Sequence, residues 1–383
     1  MNFIVHNKKE LAEKISLNVK MVDKNSLISS LSNLKLELVD STLIITAFDG
    51  NNCAISKMDV ENILGSNRSI LVDSSSLKNI IDRLSTSDDN PIEFRLIEDS
   101  SEMLIKSKKR LKMKVLLDTT DFNIVPKVAD FNDFKKVSFE RDVLLESVNK
   151  LSKYASVNNS KPILEAINFI VDEKSCDVVC LDGYRLGLNM FECSSEDKFK
   201  ISVNAYKLKS ILKDIPTNED NLIELKTDGR YTLIQSGDTS VFIREIEGSV
   251  APYKTLLDKK FDYEFLIDVK EMISIVKTSM MVTAKDNKIV KLNVSPNESL
   301  IRFSSRGEII VDFEDEMNVL FENSVDEDLE IAFNSSYLLD ILMSINEERA
   351  RIFMKSSVTP VYVDHEINDK NKYLVLPVRL GSR

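Results

Sequence analysis

The stretch Asp177-Val178-Val179-Cys180-Leu181-Asp182-Gly183-Tyr184-Arg185-Leu186-Gly187-Leu188 is an apolar, β-type run that an Asp-Gly pair interrupts. Such a run is typical of two strands joined by a hairpin turn or a tight corner. The pattern returns in residues 41–50, which end in Asp49-Gly50, and in residues 299–307, which end in Arg306-Gly307. The sequence therefore predicts three copies of one strand-turn unit.

Two helical cassettes accompany each copy. An extended stretch leads into an amphipathic helix over roughly residues 8–21, 141–155 and 269–282. After each turn a second helix begins behind an N-cap residue, which is Asp73, Asn204 or Asn334. Apolar residues recur at helical spacing behind each N-cap. Because both cassettes recur in the same order at a spacing of about 130 residues, we infer an internal triplication.

The fold class follows from what lies between the helices. Alternating apolar and polar residues, as in 92–97 and 231–235, predict mostly antiparallel strands. Each unit is then two helices packed on antiparallel sheet, which is the α+β class. We expect three tandem domains with boundaries at 1–129, 130–258 and 259–383. A chain of 383 residues is long enough for several cores.

Composition limits the function classes. With 43% hydrophobic and 30% charged residues the chain is globular, and no apolar run approaches the ~20 residues of a membrane-spanning helix. The N-terminus lacks the pattern of a signal peptide, so we expect a cytoplasmic protein without a membrane partner. Cys53, Cys176, Cys180 and Cys193 make no CxxC pair and are expected to be reduced and mostly buried.

No catalytic site emerges from the residues. His6 and His365 are the only histidines, and neither has cysteine or carboxylate neighbours at metal-ligand spacing. No GxxxxGK or GxGxxG loop is present to hold a phosphate. We therefore expect no enzyme activity, no cofactor and no metal. An enzyme with a site shared between domains is the remaining alternative, and Asp182 and Arg185 are its best candidates.

Several motifs add to the triplication: Lys161-Pro162-Ile163-Leu164, Leu181-Asp182-Gly183-Tyr184-Arg185-Leu186, Pro252-Tyr253-Lys254 and the ending Tyr373-Leu374-Val375-Leu376-Pro377-Val378-Arg379-Leu380. With them the whole chain resembles the bacterial sliding clamp family, the β subunits or processivity factors of replicative DNA polymerases. The resemblance implies a three-domain protomer that forms half of a closed ring, pairs head-to-tail as a homodimer and encircles duplex DNA. It also implies that the ring tethers the replicative polymerase, the clamp loader and other replication and repair proteins.

The chain departs from the family pattern at a few positions. Tyr184 stands where the family often has histidine, and Thr255 and Asp258 replace an expected arginine and proline. Residues 381–383 extend past the usual terminal leucine. These departures bear on partner preference and not on the fold.

The resemblance implies an apolar pocket, between the middle and last domains, that takes short peptides bearing Leu and Phe. Carried over position by position, its wall comprises Leu181, Gly183, Arg185, Leu186, Pro252, Thr255, Leu256, Val358, Pro360, Leu374, Leu376, Pro377, Val378 and Arg379. Arg185 and Arg379 would be free to hold backbone carbonyls or an acidic flank. The alternative interpretation, which is the stronger one for any single residue, is ordinary core.

Lysines on the first helix of each copy are candidates to face DNA. On helix 8–21, Leu11, Ile15 and Val19 face a core, while Lys9 and Lys20 lie opposite and Lys14 flanks them. The full set of candidate DNA-facing residues is Lys9, Lys20, Lys24, Lys150, Lys153, Lys161 and Lys277, of which the resemblance specifically supports Lys24 and Lys161. Lysines that contact only phosphates read no sequence, which suits a sliding ring. Alternatively they are an ordinary solvated helix face.

The charge map predicts how two chains meet. Lys106, Lys108, Lys109, Arg110, Lys112 and Lys114 crowd one β-like stretch, whereas residues 307–348 contain no lysine or arginine and many carboxylates. We expect Lys112 and Lys114 to face this acidic region of a second copy. The family resemblance implies that Met280 and Met281 lie at this contact, where they would form its apolar centre. A solvated edge strand guarded against aggregation is the alternative for the lysine run. The net charge of −11 also leaves open a protein-only repeat scaffold that never encircles DNA.

Overall fold

The computed structural model describes residues 1–65, 67–87, 90–128, 134–216, 221–257, 260–283, 288–306, 312–323, 325–367 and 370–379. The predicted domain boundaries at 129/130 and 258/259 lie outside these residues, as do Asp258, the predicted turn residue Gly307 and the C-terminal 381–383. The statements below concern the described residues.

The first and second helix of each copy begin where the sequence predicts them. They are α1 Lys8–Val19, α2 Ser74–Ser87, α3 Arg141–Leu151, α4 Ala205–Asp214, α6 Val269–Val282 and α7 Ser335–Leu342, and the sequence did not predict the short helix α5 Tyr253–Leu257. Polar caps fix the starts: the Asp73 carboxylate accepts from the Ser76 amide at 2.8 Å, and the Asn334 side chain accepts from the Ser336 amide at 2.9 Å. α1 and α3 end earlier than predicted, and α3 gives way to a 3₁₀ turn over Ser152–Tyr154.

The strands follow the same order three times. The first copy has β1 Asn2–Val5, β2 Asn33–Val39, β3 Thr42–Phe48, β4 Cys53–Asp59, β5 Glu61–Asn62, β6 Arg68–Asp73, β7 Ile92–Ile97, β8 Glu102–Lys106 and β9 Arg110–Leu116. The second has β10 Lys135–Glu140, β11 Ala166–Val171, β12 Ser175–Leu181, β13 Arg185–Glu192, β14 Phe199–Asn204, β15 Leu222–Thr227, β16 Tyr231–Ser236 and β17 Thr239–Arg244. The third has β18 Tyr263–Asp268, β19 Ile289–Ser295, β20 Leu300–Ser305, β21 Phe313–Asn318, β22 Leu320–Phe321, β23 Leu329–Asn334, β24 Arg349–Met354, β25 Val361–His365 and β26 Asn371–Val375. The α+β class and the triplication are confirmed.

The Asp-Gly turns of the repeated strand-turn unit, in the first and second copies, have one geometry. The Asp182 carboxylate accepts from the Tyr184 and Arg185 amides at 2.9 and 3.0 Å, and Gly183 has a φ of 92°. The Asp49 carboxylate accepts from the Asn51 and Asn52 amides, and Gly50 also has a φ of 92°. Aspartate supplies the acceptor and glycine the left-handed conformation, which explains why the pair recurs.

The chain folds into two compact units: Met1–Glu146 with Tyr206–Glu245, and Ser147–Ala205 with Ile246–Arg383. The first contains one sheet in the order β10-β15-β16-β17-β4-β3-β2-β6-β9-β8-β7-β1-β5. The second contains two sheets, β14-β11-β12-β13-β26-β25-β24-β18-β22 and β21-β20-β19-β23. The division falls inside the middle copy because each of its two sheets continues a sheet of a neighbouring copy.

Two antiparallel strand joints produce this continuation. In the first unit β17 pairs with β4, with Phe242 opposite Cys53. In the second unit β26 pairs with β13, with Leu374 opposite Leu186. In both joints the last strand of one copy pairs with the strand that follows the Asp-Gly turn of the copy before it. These are long-range pairings that local sequence patterns do not specify.

The cysteines are reduced and mostly buried, as the sequence predicts. The four cysteines are free; Cys53, Cys176 and Cys180 are buried and Cys193 is half-buried. Burial raises the pKa of the Cys53 and Cys180 thiols. Within the described ranges, no helix has the length and apolar character needed to cross a membrane.

Candidate functional site

One face of the second unit's larger sheet carries an apolar row that includes three of the predicted groove residues. Strand by strand, the row consists of Leu181, Leu186, Leu374, Tyr362 and Phe353. Directly opposed residues of antiparallel strands share a face and pack against each other. The row therefore runs without a gap across β12, β13, β26, β25 and β24.

The segment that contains α5 packs against this row. Leu256, Leu257 and Phe261 pack against a buried cluster that includes Tyr253 and three residues of the row, Leu186, Leu374 and Tyr362. Two polar contacts hold the segment: the Tyr253 hydroxyl donates to Asp177 Oδ2 at 2.7 Å, and Lys254 Nζ lies 2.9 Å from the same oxygen. Burial, followed by the hydrogen bond to Asp177, raises the pKa of Tyr253. The motif Pro252-Tyr253-Lys254 thus anchors the segment that the family resemblance assigns to one wall of the predicted groove.

Backbone hydrogen bonds hold the C-terminal segment, which is also part of the predicted groove. The Leu376 amide donates to the Tyr184 carbonyl at 2.8 Å, and the Val378 amide donates to the Ala332 carbonyl at 2.7 Å. These two bonds hold residues 376–378 between the Asp182-Gly183 turn and β23. Leu376 also packs against the cluster that includes Leu186 and Leu374.

The fourteen predicted groove residues differ in exposure. Leu186 and Leu374 are 2% and 4% exposed and belong to the core. The half-buried residues are Leu181, Arg185, Leu256, Pro360, Leu376, Pro377 and Val378, and the exposed ones are Gly183, Pro252, Thr255, Val358 and Arg379. The structure gathers Leu181, Leu186, Leu256, Leu374 and Leu376 into one apolar cluster. Sequence reasoning missed Tyr362, Phe353 and Phe261, since alternation along 349–354 and 361–365 puts Phe353 in phase with two arginines and Tyr362 in phase with Asp364.

The prediction for Arg185 as a free donor at the groove rim is wrong. Its side chain is 10% exposed and fully engaged: Nε donates to Asp182 Oδ2 at 2.9 Å, Nη1 to Asp340 Oδ2 at 2.5 Å and Nη2 to the Lys153 carbonyl at 2.5 Å. The guanidinium also stacks 4.3 Å from the centre of the Tyr337 ring. Burial opposes the charge, but the hydrogen bonds that Arg185 donates to Asp340 and Asp182 raise its pKa. Arg185 therefore ties three segments of the second unit together.

The first unit contains a comparable tie. Lys207 Nζ lies 2.9 Å from Asp49 Oδ2 and donates to the Lys20 carbonyl at 3.3 Å. Arg185 in the second unit and Lys207 in the first therefore have the same role. Each connects the carboxylate of an Asp-Gly turn, the segment at the end of a first helix and the second helix of the next copy. Burial works against the Asp49 carboxylate, but the Asn52 and Lys207 hydrogen bonds lower its pKa.

The candidate DNA-facing lysines are in different environments. Lys9, Lys24, Lys161 and Lys277 are exposed, and Lys150 and Lys153 are half-buried. Lys20 is engaged, since its Nζ lies 2.7 Å from Asp214 and donates to the Ser210 carbonyl at 2.6 Å. The expectation that Lys14 flanks the solvated face is wrong: Lys14 is 8% exposed and pairs with Glu10 at 3.3 Å. α1 therefore presents fewer free cations than its sequence suggests.

The two predicted seam strands carry opposite charge. On β9, Arg110, Lys112 and Lys114 are exposed while Met113 is buried. On β21, three consecutive carboxylates, Glu314, Asp315 and Glu316, are exposed while Phe313 is buried. β9 pairs with β8 along its length and with β6 only at residues 115 and 116, and β21 pairs only with β20. Within the described residues, β9 therefore has no partner strand on one edge over residues 110–114, and β21 has none on one of its edges.

Apolar features accompany both strands. Met281, at the end of α6, is 82% exposed, and Met280 is half-buried. In the first unit a cavity of about 530 Å³ opens beside β9, between α2 and the β8–β9 turn. Its lining is Asn79, Ile80, Arg83, Leu84, Lys108, Lys109 and Leu111.

The described residues contain no group of histidine, cysteine or acidic side chains that could hold a metal ion.

Comparison with known proteins gives a family match over most of the chain. Residues 1–126 and 135–248 match the model of the DNA polymerase III beta subunit, N-terminal domain. Residues 254–379 match the model of the C-terminal domain of the same subunit.

Individual relatives agree along the full length. The beta sliding clamp of Streptococcus pneumoniae is 22% identical over 97% of this chain and 98% of its own, and that of Mycoplasma capricolum is 23% identical over 100% of both. The crystal structure of the DNA polymerase III subunit beta from Pseudomonas aeruginosa has a TM-score of 0.88 at 21% identity, covering 99% of this chain and 100% of that one. The sliding clamp of Bacillus subtilis has a TM-score of 0.88 at 19% identity and covers 100% of both chains.

Proposed function

Because the chain belongs to the family of the DNA polymerase III beta subunit, the bacterial sliding clamp, we propose that two copies close into a ring around duplex DNA. The ring tethers the replicative polymerase, and other replication and repair proteins, through the apolar groove of the second unit. The chain itself catalyses nothing, needs no cofactor and acts in the cytoplasm. One observation carries the proposal. The same kind of pairing between strands of neighbouring copies occurs twice within the chain, and the two strands that would form a third such pairing, β9 and β21, are not paired with each other within the described residues.

In each of these joints, the last strand of one copy pairs with the strand that follows the turn of the preceding copy. We call this the joint rule. β17 and β4 satisfy it in the first unit, and β26 and β13 satisfy it in the second. The last strand of the first copy, β9, and the corresponding strand of the third copy, β21, are left over. A second copy of the chain supplies the missing partner for each, so two head-to-tail contacts close a ring under one two-fold axis.

The register of the proposed joint is taken from the existing joint of the first unit. There Cys53, the first residue of the turn strand β4, lies opposite Phe242, the fourth residue of β17. The same rule places Met113 opposite Phe313, and both of these side chains are buried. It also places three cations opposite three carboxylates, as the pairs Arg110–Glu316, Lys112–Glu314 and Lys114–Asp312. Opposed charges of this kind favour the antiparallel pairing.

The helices support the same arrangement. In the first unit the end of α1 contacts α4, where Lys20 bonds to Asp214, ten residues after the N-cap Asn204. In the second unit Tyr154, just after α3, bonds to Ser344, which lies two residues beyond the end of α7 and ten residues after the N-cap Asn334. The equivalent contact across the seam brings Met280 and Met281 of one copy to α2 of the other. The position ten residues after Asp73 is Arg83, which lines the 530 Å³ cavity.

The proposed contact with DNA is electrostatic and independent of sequence. The exposed lysines Lys9, Lys24, Lys161 and Lys277 are suited to phosphates and not to base edges. Since few of them are free and the net charge is −11, direct affinity for DNA is weak and the ring is held by topology.

Retention on closed DNA tests the function. The chain is loaded onto a nicked circular plasmid by a bacterial clamp loader with ATP, and the complex is gel-filtered at high salt. We expect the chain to elute with the circle and to leave it when a restriction enzyme linearises the plasmid. The Met280→Asp variant, which weakens the seam, should not be retained.

A protein-only scaffold is the second candidate, and the acidic net charge favours it. It predicts that the parent chain dimerises and binds peptides but never stays on the circle. Equal retention on circular and linear DNA would instead indicate ordinary DNA binding and would contradict the ring.

A further inference from the structure

Tyr362, in the middle of the groove row, has a polar group that the protein does not satisfy. The residue is 4% exposed, and its hydroxyl has no hydrogen-bond partner among the described residues. Burial raises the pKa of this phenol to about 12, so the hydroxyl remains a donor at physiological pH. A buried hydroxyl without a partner costs free energy, because it gives up its bonds to water and receives none in return.

The other buried tyrosines of the second unit differ from Tyr362. Each has an oxygen acceptor or a hydroxyl partner: Asp177 for Tyr253, Ser344 for Tyr154, the Glu327 carbonyl for Tyr263 and the Ser344 carbonyl for Tyr373. Buried tyrosines usually find such a partner. The exception therefore lies at the place where the proposed function puts a ligand.

The surroundings of Tyr362 are apolar. Leu374 lies opposite it on β26, Phe353 lies opposite it on β24, and the Phe261 ring meets it edge-on at 4.7 Å between centroids. These side chains offer no acceptor. An occupant that enters this groove with apolar side chains also brings a backbone carbonyl for every residue.

We propose that Tyr362 is a specificity-determining residue of the groove and that its hydroxyl donates a hydrogen bond to a backbone carbonyl of the bound peptide. The inference rests on the proposed function, because it assumes that the groove takes an extended peptide bearing Leu and Phe. The Tyr362 bond selects the depth and register of the peptide, whereas the leucines of the row supply apolar contact. An occupant that cannot place a carbonyl at Tyr362 leaves the donor unpaired and binds more weakly.

The test compares Tyr362→Phe with the parent chain, using a fluorescein-labelled pentapeptide with two leucines and a C-terminal phenylalanine. The substitution removes only the hydroxyl. We expect the Kd from fluorescence anisotropy to rise about five- to tenfold, which is the effect of one lost hydrogen bond, while the melting temperature does not fall. The matched control is Tyr373→Phe, whose hydroxyl is bonded to the Ser344 carbonyl at 3.4 Å. It should lower the melting temperature and leave the Kd unchanged.

A series of peptides in which each amide in turn is replaced by an ester locates the acceptor, because an ester carbonyl is a weaker acceptor. One ester should weaken binding to the parent chain but not to Tyr362→Phe. Equal Kd values and equal ester profiles for the two proteins would overturn the role of Tyr362 and leave the groove in place. Failure of the parent chain itself to bind the pentapeptide would overturn the groove instead.

Discussion

The proposed seam makes a prediction that depends on register. Lys112→Glu turns an attractive pair with Glu314 into a repulsive one. An opposed charge pair in a sheet contributes ~0.2–1 kcal/mol, and its reversal changes the energy by about twice that amount. The two-fold axis presents the pair twice in each ring. Since Lys112 also lies 3.1 Å from Glu102 within its own chain, we take the lower half of the range, which gives ~2 kcal/mol per dimer.

This energy corresponds to a rise of about 30-fold in the dimer dissociation constant. Sedimentation equilibrium over a range of chain concentrations measures it for the parent, for Lys112→Glu and for the double variant Lys112→Glu/Glu314→Lys. We expect the second substitution to restore dimerisation to within about threefold of the parent. The effect of Lys112→Glu should shrink as salt is added, because exposed charges are screened.

The control is Glu330→Lys, which changes an exposed carboxylate on β23, at the other edge of the same sheet. It should leave the dissociation constant unchanged. If Lys112→Glu dimerises like the parent, β9 is not at the seam. If Lys112→Glu weakens the dimer and Glu314→Lys does not compensate, the strands meet in another register and the joint rule is refuted.

Three further changes test the groove and the ties that support it. Leu376→Asp should abolish binding of the Leu/Phe pentapeptide in fluorescence anisotropy, and the far-UV circular dichroism should stay unchanged because Leu376 is half-buried. Leu186 is not suited to the same test, because it is 2% exposed and a charge in the core would unfold the unit. Normal binding by Leu376→Asp would contradict the groove. Arg185→Met should lower the free energy of unfolding by ~3 kcal/mol in urea titrations, because Asp182 and Asp340 lose their partner, and an unchanged midpoint would show that the tie is dispensable. Gly187→Ala should lower the free energy of unfolding by ~1–3 kcal/mol, because its new Cβ would lie 2.8 Å from Leu151 and 2.9 Å from Tyr154. Adding Leu151→Ala should recover part of this loss. If the effects of the two substitutions are simply additive, there is no clash.

Sequence alone predicted the local structure well because local chemistry determines it. N-caps such as Asp73 and Asn334 and the Asp-Gly turns depend on residues a few positions apart. The end of α3 was missed because a 3₁₀ turn retains nearly the same spacing of apolar residues. The three predicted domains stay a prediction, since their boundaries lie outside the described residues and the compact units follow the strand joints.

The candidate sites were predictable to a different degree. The leucines of the predicted groove share one cluster, in agreement with what the family resemblance implied for them. The role of Arg185 was not predictable, because it depends on Asp340, which is 155 residues away in sequence. For the same reason the engagement of Lys20 by Asp214 could not be read from the α1 pattern.

The complementary open edges of β9 and β21 have a consequence for assembly. A contact between two different surfaces of the same chain can be repeated without limit, and only its rotation angle decides whether the copies close or continue as a filament. A ring of six equal copies requires about 60° at each joint. A substitution that changed the twist at one joint, without weakening it, would therefore yield open polymers in place of free monomers.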